Sequence, residues 1–457
     1  MTNDKNIVPA TSMRPFIQIW LGQVISSFGS GLSSFALGIW VYQTTKSVTS
    51  LSLVTLCATL PILLFSSVAG ALVDRWDRKW VMVVSEVASV VSMGSLGIVF
   101  FLGRLEIWHI YITVFVISTF AAFRGPAYIA SISLIVPPRD LSRANGMSQT
   151  AQGLASLVAP LVSGILIVSL NLGGIILIDA FTFICGLVAF LITKIPSPPK
   201  AKDGQQKQGL GEEIIQGFRY LFDRPGLLGL LVLFAINNFM VSLASLLVTP
   251  LGLSLTSADQ LGLMLTLSGL GVLVGSIVMS VWRGPQRRIY MLFFFFIVNG
   301  IGLMLVGLRP SVVVATLGGF IAFLGVPIIN STAQTILHQK TAPSYQGRIF
   351  ATLGMFASAM SPLAYILAGP LADNVFTPLL LPQGLLADTV GKVIGVGNGR
   401  GIGLLFIVAG VSVILITLGG FLYPKLRRID TDLPNHIVEE AIPALSPDDL
   451  VKTAEKA

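Results

Sequence analysis

Gly70-Ala71-Leu72-Val73-Asp74-Arg75-Trp76-Asp77-Arg78-Lys79 is the stretch on which the reading of this chain turns. Five charged residues stand together there, between an apolar run over 48–73 and another over 80–102. Each run has the ~20 residues that a helix needs to cross a bilayer. The charges mark where the chain leaves the apolar phase, turns and goes back. The same alternation continues on both sides. Apolar runs lie near 16–42, 48–73, 80–102, 109–134, 146–170 and 174–194, and a second set near 227–250, 258–281, 289–307, 311–337, 347–371 and 401–423. Gly, Ser and Pro inside them are tolerated where neighbouring helices repack around the freed backbone.

Composition points the same way. Of 457 residues, 54% are hydrophobic and 11% charged, where a soluble domain carries about 25% charged residues. The expected fold is an all-α polytopic membrane protein, with twelve transmembrane helices in two pseudo-symmetric six-helix bundles. The run from Phe16 to Tyr42 is long and lacks a small-residue cleavage site, so it reads as the first helix and not as a removable signal. The expected division is an N-terminal tail over 1–15, a first bundle over 16–194, a linker over 195–226, a second bundle over 227–423 and a C-terminal tail over 424–457. The linker begins with the polar, flexible stretch 196–211. It continues with the amphipathic segment Glu212–Arg224, which suits either a helix lying on the membrane surface or a plain lead-in to the next span.

Charge decides orientation. Twenty-three of the 29 lysines and arginines fall in the segments 1–15, 74–80, 135–145, 194–226, 282–288, 338–348 and 424–457, which alternate helices place on one side. The other side receives Lys46, Arg104, Arg309, Lys392 and Arg400, and Arg124 lies within a span. The positive-inside rule therefore puts both termini in the cytoplasm and supports an even number of helices. The net charge of +8 follows this sidedness, so it carries no nucleic-acid signal. Cys57 and Cys185 lie in apolar runs and read as small hydrophobes. His109, His338 and His436 are too far apart to suggest a metal site.

The quoted stretch resembles the signature of the major facilitator superfamily, with Asp77 standing where many members have a second glycine. Arg143-Ala144-Asn145-Gly146 leading to Gln149, Asp179-Ala180-Phe181-Thr182-Phe183, the block Gly217–Pro225 and Gln346-Gly347-Arg348-Ile349-Phe350 are similar to the drug and macrolide efflux branch. Ala159-Pro160-Leu161-Val162-Ser163-Gly164 resembles the helix 5 antiporter motif, with Ala159 and Ser163 at places usually held by glycine. Pro160 and Gly164 would then serve close helix packing. The resemblance implies a major facilitator fold in the bacterial inner membrane, and a cluster of Gly70, Asp74, Arg75, Arg78 and Lys79 that latches the two halves in one conformation and releases them in the other. Topology determination alone is the plainer reading of that cluster. Gly125–Pro126, Pro138 and Arg143 in the first half echo Gly325, Pro327, Pro343 and Arg348 in the second, as expected of duplicated halves.

Charges inside spans are expensive, so Glu86, Arg124 and Asp179 are the candidates for coupling or substrate binding. Glu86 and Arg124 are placed so that they can pair. Asp179, near the outer end of its helix, suits either capping or proton handling. The amides Gln23, Gln149, Gln152, Asn237, Asn238, Asn330 and Gln334 are the candidate cavity residues. Few polar groups among many Phe, Leu, Val and Ile suit a small hydrophobic or amphipathic solute. The expectation is a secondary transporter exporting such compounds, driven by the proton gradient without a cofactor and working as a monomer among membrane lipids. No nucleotide-binding loop and no catalytic constellation is visible. Transport of lysophospholipids or siderophores, and a non-transporting membrane sensor or scaffold, are the alternatives. The outer segment 374–400 reads as a lid or a passive loop.

Overall fold

The computed structural model describes residues 12–73, 75–196, 219–282, 284–285, 287–341 and 343–432. Most of the expected linker and its amphipathic segment, much of both tails, and Asp74 lie outside the described residues. Helices and turns make up the described chain. Among the described residues eleven continuous helical segments are long and apolar enough to cross a membrane, and one of them, Pro138–Ile192, runs over two crossings. The break is at Asn171, with φ 55° and ψ −178°. Asparagine tolerates positive φ better than most residues, and one residue suffices to turn the chain back.

Twelve crossings result. They are α1 (Arg14–Thr45), α2 (Val48–Val73), α3 (Arg78–Phe101), α4 (Ile107–Ile135), α5 (141–170), α6 (172–192), α7 (Pro225–Leu255), α8 (Ala258–Val281), α9 (Arg288–Leu308), α10 (Val312–Lys340), α11 (Pro343–Pro370) and α12 (Arg400–Leu422). The turns at 75–77 and 138–140, the described residues between α8 and α9, and the described ends of the chain share one face, called here the basic face.

Small residues bring the helices close. Gly22 and Gly29 of α1 meet Ala189 and Thr182 of α6, and Ser163 of α5 donates to the Leu32 carbonyl of α1 at 2.8 Å. In the second half, Gly302 of α9 packs on Ala322 of α10, and Gly300 on Gly410 of α12. Separate apolar cores fill the two sets of helices. A further cluster joins them near the face opposite the basic one, setting Val48 and Leu51 of α2 among Leu243 and Leu251 of α7, Leu261 of α8 and Ala364 and Ala368 of α11. The outer segment is folded, with Leu380, Ala387 and Ile394 buried. Buried Arg400 donates to the Gly307 carbonyl at the end of α9 at 2.6 Å.

Candidate functional site

A cavity between the halves adjoins a smaller lobe walled by the first half alone. The upper lobe, about 490 Å³, is lined by Ser27, Ser34 and Phe35 of α1, Thr55 of α2, Gln152 and Ser156 of α5, Ser245 and Thr249 of α7 and Tyr365 of α11. Its polarity comes from hydroxyls and the Gln152 amide, and no charged side chain among the described residues lines it. The lower lobe, about 180 Å³, shares Ser27 and Gln152 with it and adds Trp20, Gln23, Arg124, Tyr128 and Ser148. The indole Nε1 of Trp20 and the amide Nε2 of Gln23 are buried donors with no partner among the described residues.

Two contacts between the halves close the face opposite the basic one. The Asp373 carboxylate, just past α11, accepts from Ser47 Oγ (2.8 Å), Val48 N (3.0 Å), Thr49 N (2.9 Å) and Thr49 Oγ1 (2.8 Å). It thus caps the start of α2 from the other half, satisfying amide groups that have no partner within their own helix. Gly369 permits the approach, since a Cβ there would lie 2.5 Å from the Thr49 Cα. Beside it, α5 meets α8. A Cβ on Gly164 would fall 2.6 Å from the Ala258 carbonyl oxygen, Gly262 sits against the Pro160 carbonyl, and Thr266 Oγ1 donates to the Leu157 carbonyl at 2.7 Å. Pro160 and Gly164 therefore pack between the halves. Toward the basic face the same helices part among the described residues, where a Cβ on Gly70, Gly146, Gly153, Gly347 or Gly354 would meet none of their atoms within 4 Å.

The three intramembrane charges occupy the first half. Arg124 Nη1 donates to Glu86 Oε2, and Ser26 Oγ donates to Glu86 Oε1 at 2.8 Å. Glu86 is fully buried, whereas the Arg124 side chain is 17% exposed and reaches the lower lobe. Asp179 does not cap a helix. It sits in α6 seven residues beyond Leu172, about 10 Å from the helix start, where backbone amides already have helical partners. It is fully buried against Gly29 of α1, accepting from Thr182 Oγ1 at 3.3 Å, and its Oδ2 has no partner among the described residues.

The charged turn after α2 is anchored within its own half. Asp77 is the N-cap of α3, accepting from Lys79 N (2.9 Å) and Trp80 N (3.3 Å), a role that glycine could not fill with a side chain. Arg78 Nη1 donates to the Ala130 carbonyl of α4 (2.7 Å), and Lys79 Nζ to the carbonyls of Leu191 (3.0 Å) and Thr193 (2.8 Å) at the end of α6. Cations suit these carbonyl-rich helix ends. Arg75 is exposed. In the second half the capping acid comes from beyond α12, where Asp430 Oδ2 accepts from Ile289 N at 3.0 Å.

Of the amides expected in a cavity, Gln23 and Gln152 line it. Gln149, Asn330 and Gln334 are exposed and line neither lobe. Asn238 donates to its own helix at the Phe234 carbonyl (3.0 Å), and Asn237 also stands apart from both lobes. The hydroxyls of the upper lobe and Asp373 escaped sequence reasoning. A signal for Asp373 exists: Gly369-Pro370-Leu371-Ala372-Asp373 at the end of α11 repeats the glycine, three residues, acid spacing of Gly70 to Asp74 at the end of α2.

The sequence profile of the Major Facilitator Superfamily matches residues 19–365. Macrolide efflux protein A of Streptococcus pyogenes is 28% identical over 382 residues, covering 79% of this chain and 90% of its own. Multidrug efflux pump Tap of Mycolicibacterium fortuitum is 25% identical over 394 residues, covering 82% and 95%. Among solved structures, the nucleoside transporter NupG aligns with a TM-score of 0.67 at 13% identity over 90% of this chain and 100% of its own. A bacterial homologue of the human lysosomal transporter Spinster, in an inward-facing and unoccupied conformation, aligns with a TM-score of 0.65 at 14% identity over 92% and 98%.

Proposed function

Because the chain belongs to the Major Facilitator Superfamily, we propose that it is a secondary transporter of the drug and macrolide efflux branch, exporting small hydrophobic or amphipathic compounds by proton antiport. The observation that carries the reading is the cavity shared by both halves, closed on one face by Asp373 and the α5–α8 contact and parted toward the other. In this reading the protein sits in the bacterial inner membrane with the basic face and both termini in the cytoplasm, and the working unit is a monomer surrounded by lipid. The halves over 16–194 and 227–423 rock about the cavity, which is then offered to either side in turn.

The two ends of the α2–α11 pair give each state its latch. Asp373 holds the outer ends together in the inward-open state. Asp74, with Gly70 giving close approach, would meet the start of α11 in the outward-open state, with Arg75 beside it. Arg78 and Lys79 keep α3 fixed to α4 and α6, so the half moves as one body. Glu86 and Arg124 are the coupling pair. Arg124 joins buried Glu86 to the cavity wall, so a change at the pair is delivered there. Gln23 and Gln152 bind substrate alongside the hydroxyls, and no covalent step occurs.

The test is intracellular accumulation of macrolides and amphipathic dyes in an efflux-deficient bacterial host. Intact protein is compared with Asp74→Asn at equal membrane abundance, with and without a protonophore. Lower accumulation with intact protein alone, abolished by the protonophore, is the expected result. Equal accumulation in all strains rejects export of those compounds.

A further inference from the structure

Where the chain turns into α3 at the basic face, Trp76 and Trp80 are 50% and 62% exposed. Together with Val84 and with Phe120 and Phe123 of α4 they wall a groove of about 450 Å³. Trp76 stacks on Phe123 with ring centroids 6.4 Å apart and planes inclined by 25°. Phe123 rests in turn on Phe65 of α2, at 6.3 Å. From Asp77 to Val84 the groove follows α3 for about 10 Å, from the helix start toward membrane depth. It shares no residue with either lobe of the central cavity.

The depth and the rim of the groove differ in chemistry. Its depth is hydrocarbon and aromatic, which suits an alkyl body. At its rim stands Asp77, exposed, whose capping bonds from Lys79 N and Trp80 N leave the carboxylate charge in place. Two cations of the same turn are spent elsewhere, Arg78 on the Ala130 carbonyl and Lys79 on the carbonyls of Leu191 and Thr193. No Lys or Arg among the described residues lines the groove, exposed Arg75 included. Tryptophans at a membrane interface need no ligand by themselves. The acid that lies between these two adds a second attraction of the same sign. Aromatic faces draw organic cations to within about 6 Å of the ring centre, tryptophan most strongly. A neutral amphiphile gains only the apolar contact, and an anionic one is repelled by the carboxylate and by the ring faces.

We propose that the α3–α4 groove is a binding site for a single-chain organic cation. Its alkyl tail lies between Val84 and Phe120, and its quaternary nitrogen sits at the rim among Trp76, Trp80 and the Asp77 carboxylate. The site is separate from the central cavity and does not rest on the export reading.

The experiment is equilibrium binding of tritiated dodecyltrimethylammonium to the full chain in phosphatidylcholine nanodiscs, with partition into empty discs subtracted. Dodecanol and dodecanoate, which carry tails of the same length, compete against it. Saturable binding is expected, with both competitors at least about tenfold weaker. Trp76→Leu and Trp80→Leu should each weaken the cation about three- to tenfold. Asp77→Asn removes the charge but still caps α3, since asparagine is as good a cap as aspartate. It should weaken the cation about two- to fivefold and leave dodecanol unchanged. That variant keeps the test sharp even if the loss of a tryptophan disturbs folding. Absence of saturable binding, equal competition by dodecanol or dodecanoate, or saturable binding that none of the three substitutions weakens would overturn the proposal. A repeat in discs with a neutral glycolipid in place of phosphatidylcholine separates the ligand from lipid. Unchanged affinity supports the site, whereas binding seen only without choline headgroups gives the groove to lipid and overturns it.

Discussion

With the basic face cytoplasmic, as proposed, Asp373→Asn should open the outer face. The native carboxylate receives four hydrogen bonds, two from backbone amides at the start of α2 and two from hydroxyls, all between 2.8 and 3.0 Å. Asparagine keeps one acceptor oxygen and turns an NH2 group toward donors that need an acceptor. Hydrogen bonds to a charged group contribute about 1.5–3 kcal/mol each, and loss of a helix cap costs about 0.5–2 kcal/mol. Partial exposure and the retained oxygen lower the sum, leaving about 2–4 kcal/mol. That shifts the equilibrium between the two states roughly thirty- to several-hundredfold toward outward-open. A resting preference of about 99:1 would fall to about 3:1 at the lower figure and reverse at the upper. The assay is a distance distribution by double electron–electron resonance between spin labels at positions 104 and 309, both exposed, with Cys57 and Cys185 replaced. A longer-distance population should grow in Asp373→Asn, while Asp373→Glu should show a smaller change. An unchanged distribution for Asp373→Asn in lipid nanodiscs would refute the latch.

Glu86→Gln should strip Arg124 of its counter-charge and destabilise the protein by about 3–5 kcal/mol, whereas the double variant with Arg124→Gln should recover much of that loss. Thermal unfolding of the two variants side by side checks this. Gly164→Val should prevent α5 from seating on α8 and cost this state about 1–3 kcal/mol, read as a lowered unfolding temperature. Gly354→Val, which meets open space here, should leave this state undisturbed and instead slow efflux where the inner ends must close. Asp77→Ala should remove the α3 cap and cost about 1 kcal/mol, measurable as a lowered unfolding temperature with substrate selectivity intact.

The helices were legible because lipid imposes a length and a polarity that no other solvent does. The run over 258–281 reappears as α8, and the run over 48–73 as α2. Asn171 was less legible: a gap in hydropathy reads as a short loop, and only the backbone angle reveals a one-residue turn. Glu86 and Arg124 stood out because intramembrane charge is costly. The cavity was harder to read. Serine and threonine in membrane helices commonly bond the carbonyl one turn back, as Ser52 does with Val48. Their presence therefore does not separate cavity walls from helix interiors. The amides drew attention instead, and Asn238 spends its donor on its own helix. Asp373 was hidden by distance, since its partners lie more than 320 positions earlier in the chain. Asp77 was read as a departure from a family pattern, and its capping role emerged only with the turn that it closes.

The single-residue turn at Asn171 has a consequence for biogenesis. With no slack between them, α5 and α6 cannot enter the bilayer one after the other from a long tether. They must insert as a helical hairpin. The hairpin carries Asp179, an acid that insertion penalises by about 3 kcal/mol near a helix centre, together with the apolar stretches on either side of Asn171 that offset it. Once inside, Asp179 finds Gly29 and Thr182 and leaves the lipid. Damage at Asn171 would therefore surface during synthesis, as chain that the insertion machinery fails to integrate, before any question of turnover arises.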